Sequence, residues 1–254
     1  MTLMGSRSTE KSRPSAFWPL AAIVVPAIGL LAKIEIRGKE KLPAEGAYVL
    51  APNHYSEFDP LIVAAAVWRL GRAPRFMTKA SLFRVPVLGW ALRKTGMVPV
   101  ARGASAVAAK QTIEQSRTLV EHGRGVIVYP EGTLTRDPEL WPMRGKSGAV
   151  RLALSGDIPL IPMAQWGTQN IMGRYQKGLS VWPPRKRVQV LIGDPVDVSD
   201  LKGRASEQSA LNEATNRLMN AITALLEELR DEKAPVVRWK PSDHGQKETG
   251  RLDS

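Results

Sequence analysis

From residue 34 onward, short apolar runs rich in β-branched residues alternate with stretches of helical periodicity. The runs at 47–52, 75–79, 97–101, 125–129, 160–165 and 188–192 predict strands. Between them, 60–70, 87–94, 105–121 and 145–155 predict helices, with Gly123 and Gly125 supplying a stop after Glu121 and His122. An order of strand, helix, strand argues for an α/β fold with a largely parallel central sheet flanked by helices. Residues 206–230 form the clearest amphipathic helix, with Leu211, Leu218, Ile222, Leu225 and Leu229 on one face for packing. Pro159 and Pro162 in Asp157-Ile158-Pro159-Leu160-Ile161-Pro162-Met163 predict an edge strand or a bent wall.

Two segments fall outside this alternation. Residues 16–32 carry no charge, but seventeen residues interrupted by Pro19 and Pro26 are short for a membrane span. They predict a monotopic or re-entrant anchor, with a buried N-terminal helix pair as the alternative. Basic flanks on both sides orient this segment weakly, and a cytoplasmic exposure of the remainder is the expectation. Residues 231–254 are polar and mixed in charge, which predicts a loose tail. The organisation read from the chain is therefore an anchoring segment at 1–33, a catalytic or binding domain at 34–230 and a tail at 231–254.

Charge narrows the partners. The formal net charge is +12, and all of the excess lies in two windows without acids, 60–113 with nine bases and 158–193 with five. Trp68, Phe76, Phe83 and Trp90 interleave with the first set, and Trp166, Tyr175 and Trp182 with the second. Such a mixture suits bilayer headgroups and the acyl boundary, and also single-stranded nucleic acid. The absence of cysteine removes disulfide frameworks, thiolate metal sites and a cysteine nucleophile.

Candidate chemistry sits at strand ends. Asn53-His54-Tyr55-Ser56-Glu57-Phe58-Asp59-Pro60 follows an apolar strand and precedes a helix. An Asp59 carboxylate reaching His54 fixes the imidazole tautomer and frees the other nitrogen as a general base. Asp59 as N-cap with Pro60 at the first helical position is the structural alternative. Neither His122 nor His244 competes with His54, no metal cluster is visible, and no serine occupies a G-x-S-x-G elbow. Proton abstraction from a substrate hydroxyl is the simplest chemistry left.

Gly96 through Arg102 predicts a strand ending in a guanidinium able to fork onto a phosphate or carboxylate. Tyr129-Pro130-Glu131-Gly132-Thr133 follows another apolar strand, where Gly132 allows close backbone approach, Thr133 can donate to an anion and Glu131 can orient a hydroxyl. Arg144 and Lys146 lie at a predicted helix start that favours anions. Singly, each of these has an ordinary structural reading as a strand end, a turn or a helix start.

Taken in order over residues 34–195, these segments resemble the membrane-bound glycerolipid acyltransferase family. Asn53-His54 with Asp59-Pro60 resembles its N-H-x-x-x-x-D-P block, Gly96–Arg102 its second, Tyr129–Thr133 its third and Ile158–Pro162 its proline-bearing fourth. The third block usually continues with arginine, whereas Leu134 stands here, leaving Arg136, Arg144 or Lys146 to replace that cation.

The resemblance implies a glycerolipid acyltransferase-like fold with a membrane-associated N-terminal segment, localised to the cytoplasmic face of the cell membrane. It implies transfer of a fatty acyl group to lysophosphatidic acid, with another acceptor such as glycerol 3-phosphate or a glycosylated phosphoinositide as the alternative. His54 held by Asp59 would deprotonate the hydroxyl, and Arg102, Glu131, Gly132, Thr133, Arg144 and Lys146 would hold the phosphate head. The implied partners are a lysophospholipid acceptor, an acyl thioester donor and a membrane surface, with no nucleic acid. No resident cofactor or metal is implied, only acyl-CoA or acyl-ACP as co-substrate. A non-catalytic basic binding protein is the competing class.

Overall fold

The computed structural model describes residues 15–100, 118, 120–248 and 250. Its centre is a five-stranded sheet built from β1 (Ala32–Arg37), β2 (Tyr48–Pro52), β5 (Gly125–Ile127), β6 (Leu160–Trp166) and β7 (Lys186–Ile192), in the order β1-β7-β6-β2-β5. Parallel pairing joins β1 to β7, β6 to β2 and β2 to β5, while β7 runs antiparallel to β6. A short parallel pair, β3 (Met77–Lys79) with β4 (Val98–Val100), lies beyond β5 and connects to it through a bridge from Phe76 to Ile127. The predicted strand ending in Arg102 is thus present as far as Val100; Arg102 and most of the predicted helix at 105–121 lie outside the described residues.

Alternation along β2 explains the layering. Tyr48 and Leu50 point into one apolar cluster, with Ile62, Val63 and Ala66 of α2 (Asp59–Arg69) and Ile28 of α1 (Phe17–Leu31). Val49 and Ala51 point to the other side, onto α4 (Gly148–Gly156) and α5 (Gln208–Arg230). Because both faces of the sheet are covered, its strands read as continuous apolar runs. Along α5 the face at Leu211, Leu218, Ile222 and Leu229 is buried as predicted, with Leu226 rather than Leu225 completing it.

The proline-bearing strand is central and not an edge, lying between β2 and β7. Pro162 is tolerated because it stands opposite Gly193, one step beyond the last rung of β7: its carbonyl accepts the Gly193 N–H at 2.9 Å, and only the return bond is missing.

Within residues 16–32, Phe17–Leu31 form one helix with Pro26 inside it, and Ala32 directly opens β1. At fifteen residues, α1 is about 22 Å long, short of the roughly 30 Å of a hydrocarbon core. Among the described residues no helix is long and apolar enough to cross a membrane. Phe17 and Ile28 of α1 are buried, while Ile23 and Leu30 are more than 70% exposed.

Over residues 231–248 the tail is folded rather than loose. Trp239 stacks on His244 with ring centroids 3.5 Å apart, and its Nε1 donates to Gln246 Oε1 at 3.2 Å. The Arg144 amide donates to the Trp239 carbonyl at 2.9 Å, so the knot sits against the loop that precedes α4.

Candidate active site

The loop from Asn53 to Phe58 leaves the C-terminal end of β2 and turns into α2. Asn53 extends the sheet with its side chain. Its Oδ1 accepts the Gln165 N–H at 2.9 Å and its Nδ2 donates to the Gln165 carbonyl at 3.2 Å, imitating a ladder rung to β6. Asp59 is the first residue of α2 and does not cap that helix. Its Oδ2 turns back to accept the amides of Tyr55 at 2.7 Å and Ser56 at 2.8 Å, and lies 3.0 Å from His54 Nδ1. Burial pushes the Asp59 carboxyl up, against the pull of the imidazole and the two amides. With Nδ1–H donated to Asp59, Nε2 is the ring nitrogen that can accept a proton.

The imidazole is held on its face and through its main chain as well. Tyr129 stacks on His54 at 4.1 Å between centroids, and Phe76 stacks in turn on Tyr129 at 6.2 Å. The His54 amide donates to Glu131 Oε1 at 2.9 Å, and the His54 carbonyl accepts the Thr135 amide at 2.6 Å. Glu131 therefore faces the loop that carries His54: it is fully buried, and its second oxygen accepts the Met143 amide at 3.0 Å. Burial raises its pKa from the ordinary 4.5 to about 8, despite these two amides.

His54 opens onto a cavity of about 1330 Å³, larger than the roughly 300–1,000 Å³ usual for small-ligand sites. Its walls are apolar, from Leu20 and Val24 of α1, Leu61 and Trp68 of α2, and Leu88 and Leu92 of α3 (Pro86–Lys94). The polar end holds His54, Gly132, Lys146 and the start of α4 at Ser147 and Gly148. Gly132 has φ +69°, and a Cβ there would meet the Lys146 side chain at 3.2 Å, so glycine permits the lysine to lie across it. The Lys146 amide donates to the Pro130 carbonyl at 2.7 Å, fixing one loop on the other.

The remaining residues named from sequence fall elsewhere. Thr133 is buried and lines no part of this cavity, and Arg144 is exposed and outside it. Leu134, where the resembled block carries arginine, is buried. Sequence reading missed the role of Asn53 and the clamp on the His54 peptide. It also missed the contribution of α1 to the cavity, although the apolar residues of 16–32 are its only outward signal.

Comparison with known proteins decides the family. The acyltransferase family model matches residues 33–166. The chain belongs to the acyltransferase family. It is 32% identical over 148 residues to the chloroplastic 1-acyl-sn-glycerol-3-phosphate acyltransferase BAT2 of Brassica napus, a match covering 58% of this chain and 41% of that one. The chain thus spans about two fifths of the length of this plant relative. A 1-acyl-sn-glycerol-3-phosphate acyltransferase of Bacillus subtilis is 27% identical over 204 residues, covering 80% of this chain and 94% of that one. The fold is shared with the crystal structure of the 1-acyl-sn-glycerophosphate (LPA) acyltransferase PlsC from Thermotoga maritima, at a TM-score of 0.61 and 20% identity, covering 80% and 75% of the two chains.

Proposed function

We propose that this acyltransferase moves a fatty acyl group from an acyl thioester, of coenzyme A or acyl carrier protein, to the free hydroxyl of lysophosphatidic acid. The observation that carries the reading is the His54–Asp59 pair, 3.0 Å apart, at the polar end of a large apolar cavity. His54 Nε2 takes the hydroxyl proton as that oxygen attacks the thioester carbonyl carbon. The ester C–O bond forms, the C–S bond breaks, and the proton returns from the imidazolium to the departing thiolate. Asp59 stabilises the imidazolium between these steps. Lys146 and the amides beside Gly132 face the phosphate, and the apolar walls receive the acyl chain. The names of the Brassica and Bacillus relatives support this acceptor.

The same reading places the enzyme on a membrane surface. Ile23 and Leu30 of α1 and Val87 and Trp90 of α3 are exposed, and both helices line the cavity. Seating these side chains in lipid would open the cavity toward its substrates.

General-base catalysis contributes about 10²–10⁴ in rate. His54→Ala should therefore abolish acylation of lysophosphatidic acid by an acyl thioester while vesicle binding persists. Substantial turnover by a folded His54→Ala protein would remove the base from its role. Leu134 favours keeping glycerol 3-phosphate and glycosylated phosphoinositides in the acceptor panel, with products identified by mass spectrometry.

A further inference from the structure

The loop that joins β6 to β7 is rooted beside the catalytic loop and carries its tip into solvent. At the root, the Met172 carbonyl accepts from Ser56 Oγ at 2.6 Å, and the Tyr175 amide donates to Glu57 Oε2 at 3.2 Å. Arg174 Nη1 donates to the carbonyls of Thr135 and Asp137, each at 2.7 Å. Beyond the root, every residue from 176 to 185 is exposed. The tip is nonetheless tied in place. The Ser180 amide donates to the Ile171 carbonyl at 2.8 Å, and Lys186 Nζ donates inside the loop to the carbonyls of Ser180 at 2.6 Å and Trp182 at 3.1 Å.

This fixed shape presents apolar surface to water. Trp182 is 80% exposed and Val181 61%, with Leu179, Pro183 and Pro184 beside them. Ordering an exposed tryptophan gains nothing in water, and apolar surface of this kind marks a place that something covers. Charge says what covers it. Lys177 and Arg185 flank the apolar run, both exposed, in a stretch of sequence from 158 to 193 that holds no acid. Aromatic and aliphatic side chains set between exposed cations match the boundary between acyl chains and anionic headgroups. The tip is also continuous with α1, because the Arg185 amide donates to the carbonyl of the exposed Leu30 at 3.0 Å.

We infer that residues 176–185 are a further membrane contact, which seats Trp182 in the interface of an anionic bilayer and sets Lys177 and Arg185 on its headgroups. This rests on the membrane seating of α1 and α3 proposed above and extends it to the loop after β6. A domain held by two helices alone can rock about them. A contact beyond the end of α1 fixes the tilt of the bilayer plane, and the root of the loop passes that orientation to Ser56 and Glu57, next to His54.

The chain has no cysteine, so one introduced thiol can carry an environment-sensitive fluorophore. A label on Val181→Cys should shift to the blue on vesicles of phosphatidylglycerol with phosphatidylcholine, and lipids with a nitroxide near the headgroup should quench it. A base at such a surface contributes about fivefold in affinity. Lys177→Gln with Arg185→Gln should therefore weaken binding of the full chain to these vesicles by about tenfold or more, an effect that high salt removes. Trp182→Ser should weaken binding at low and high salt alike. A Val181 label that stays unshifted on vesicle-bound protein, or variants that bind as the parent does, overturns the inference. So does a shift that needs no vesicles and disappears on dilution, which marks a contact between copies of the chain. The same label on Ile23→Cys tests α1 separately. A shift at Val181 with none at Ile23 takes α1 out of the bilayer and leaves the loop on it, and neither readout depends on turnover.

Discussion

Glu131 holds His54 by its peptide, not by its ring. One carboxyl oxygen accepts the His54 amide at 2.9 Å and the other accepts the Met143 amide at 3.0 Å. With the Thr135 amide on the His54 carbonyl, His54 is fixed from both sides of its main chain, and Asp59 orients the imidazole. The acid of the third block thus supports the first block.

This placement makes Glu131 a source of pH-dependent stability. Its pKa rises from 4.5 to about 8 on folding because the carboxyl is buried. The folded protein therefore keeps a proton that the unfolded chain releases. The stabilisation is complete below the unfolded value and is lost as pH rises toward the folded one, at up to about 1.4 kcal/mol per pH unit. Glu131→Gln removes that slope, and costs about 1–3 kcal/mol because its amide nitrogen cannot accept the second N–H. Urea unfolding of both proteins between about pH 5 and 8 should show the gap between them closing as pH rises. Parallel stability curves would show that Glu131 is ionised throughout.

Asp59 separates charge from geometry. Its hydrogen bonds to Tyr55, Ser56 and His54 all fall on Oδ2, while Oδ1 is buried without a partner. Asn at this position can set its carbonyl where Oδ2 stands and keep the amides of Tyr55 and Ser56, losing only the charge opposite the imidazolium. Asp59→Asn should lower kcat by about 10²–10⁴ with a melting temperature near that of the parent. Asp59→Ala should lower both, since two amides lose their acceptor. Near-parental turnover by Asp59→Asn would take the carboxylate charge out of the mechanism.

The parts legible in the sequence are those carried by side-chain pattern. The runs at 48–52 and 188–192 are apolar because the sheet is covered on both faces, and His54 with Asp59 marked the site because their spacing crosses one tight loop. Strand β1 was not predicted, since Lys33, Glu35 and Arg37 alternate with Ile34 and Ile36 next to a far stronger apolar signal. Glu131 was read as facing substrate because a buried acid on main-chain amides has the same one-letter code as a solvated one.

Cavity shape should be readable from chain-length preference. Ala64 lines the cavity from α2 beside Leu61 and Trp68, at a distance in sequence from the base. Ala64→Phe places a ring in the space assigned to the acyl tail. Activity with a long-chain thioester should fall about tenfold or more, and activity with a short-chain one should change little, because lost apolar burial and overpacking cost about 1–3 kcal/mol. Equal effects on both donors would move the acyl chain out of this cavity.

Arg72 shows that a base in an acid-free window need not meet a lipid. It is 1% exposed, and its guanidinium donates to the carbonyls of Pro43 at 2.7 Å, Gly46 at 2.7 Å and Gly123 at 3.2 Å while lying over the Tyr48 ring at 4.7 Å. It therefore ties the loop before β2 to the loop before β5, satisfying carbonyls that no strand reaches. Arg72→Met keeps the apolar stem and leaves those carbonyls unpaired, which should cost about 3–5 kcal/mol of stability. The folded fraction should retain the parental kcat and the parental salt dependence of vesicle binding, since no surface charge is lost. A variant with unchanged stability and weakened binding to anionic vesicles would instead return Arg72 to the membrane face.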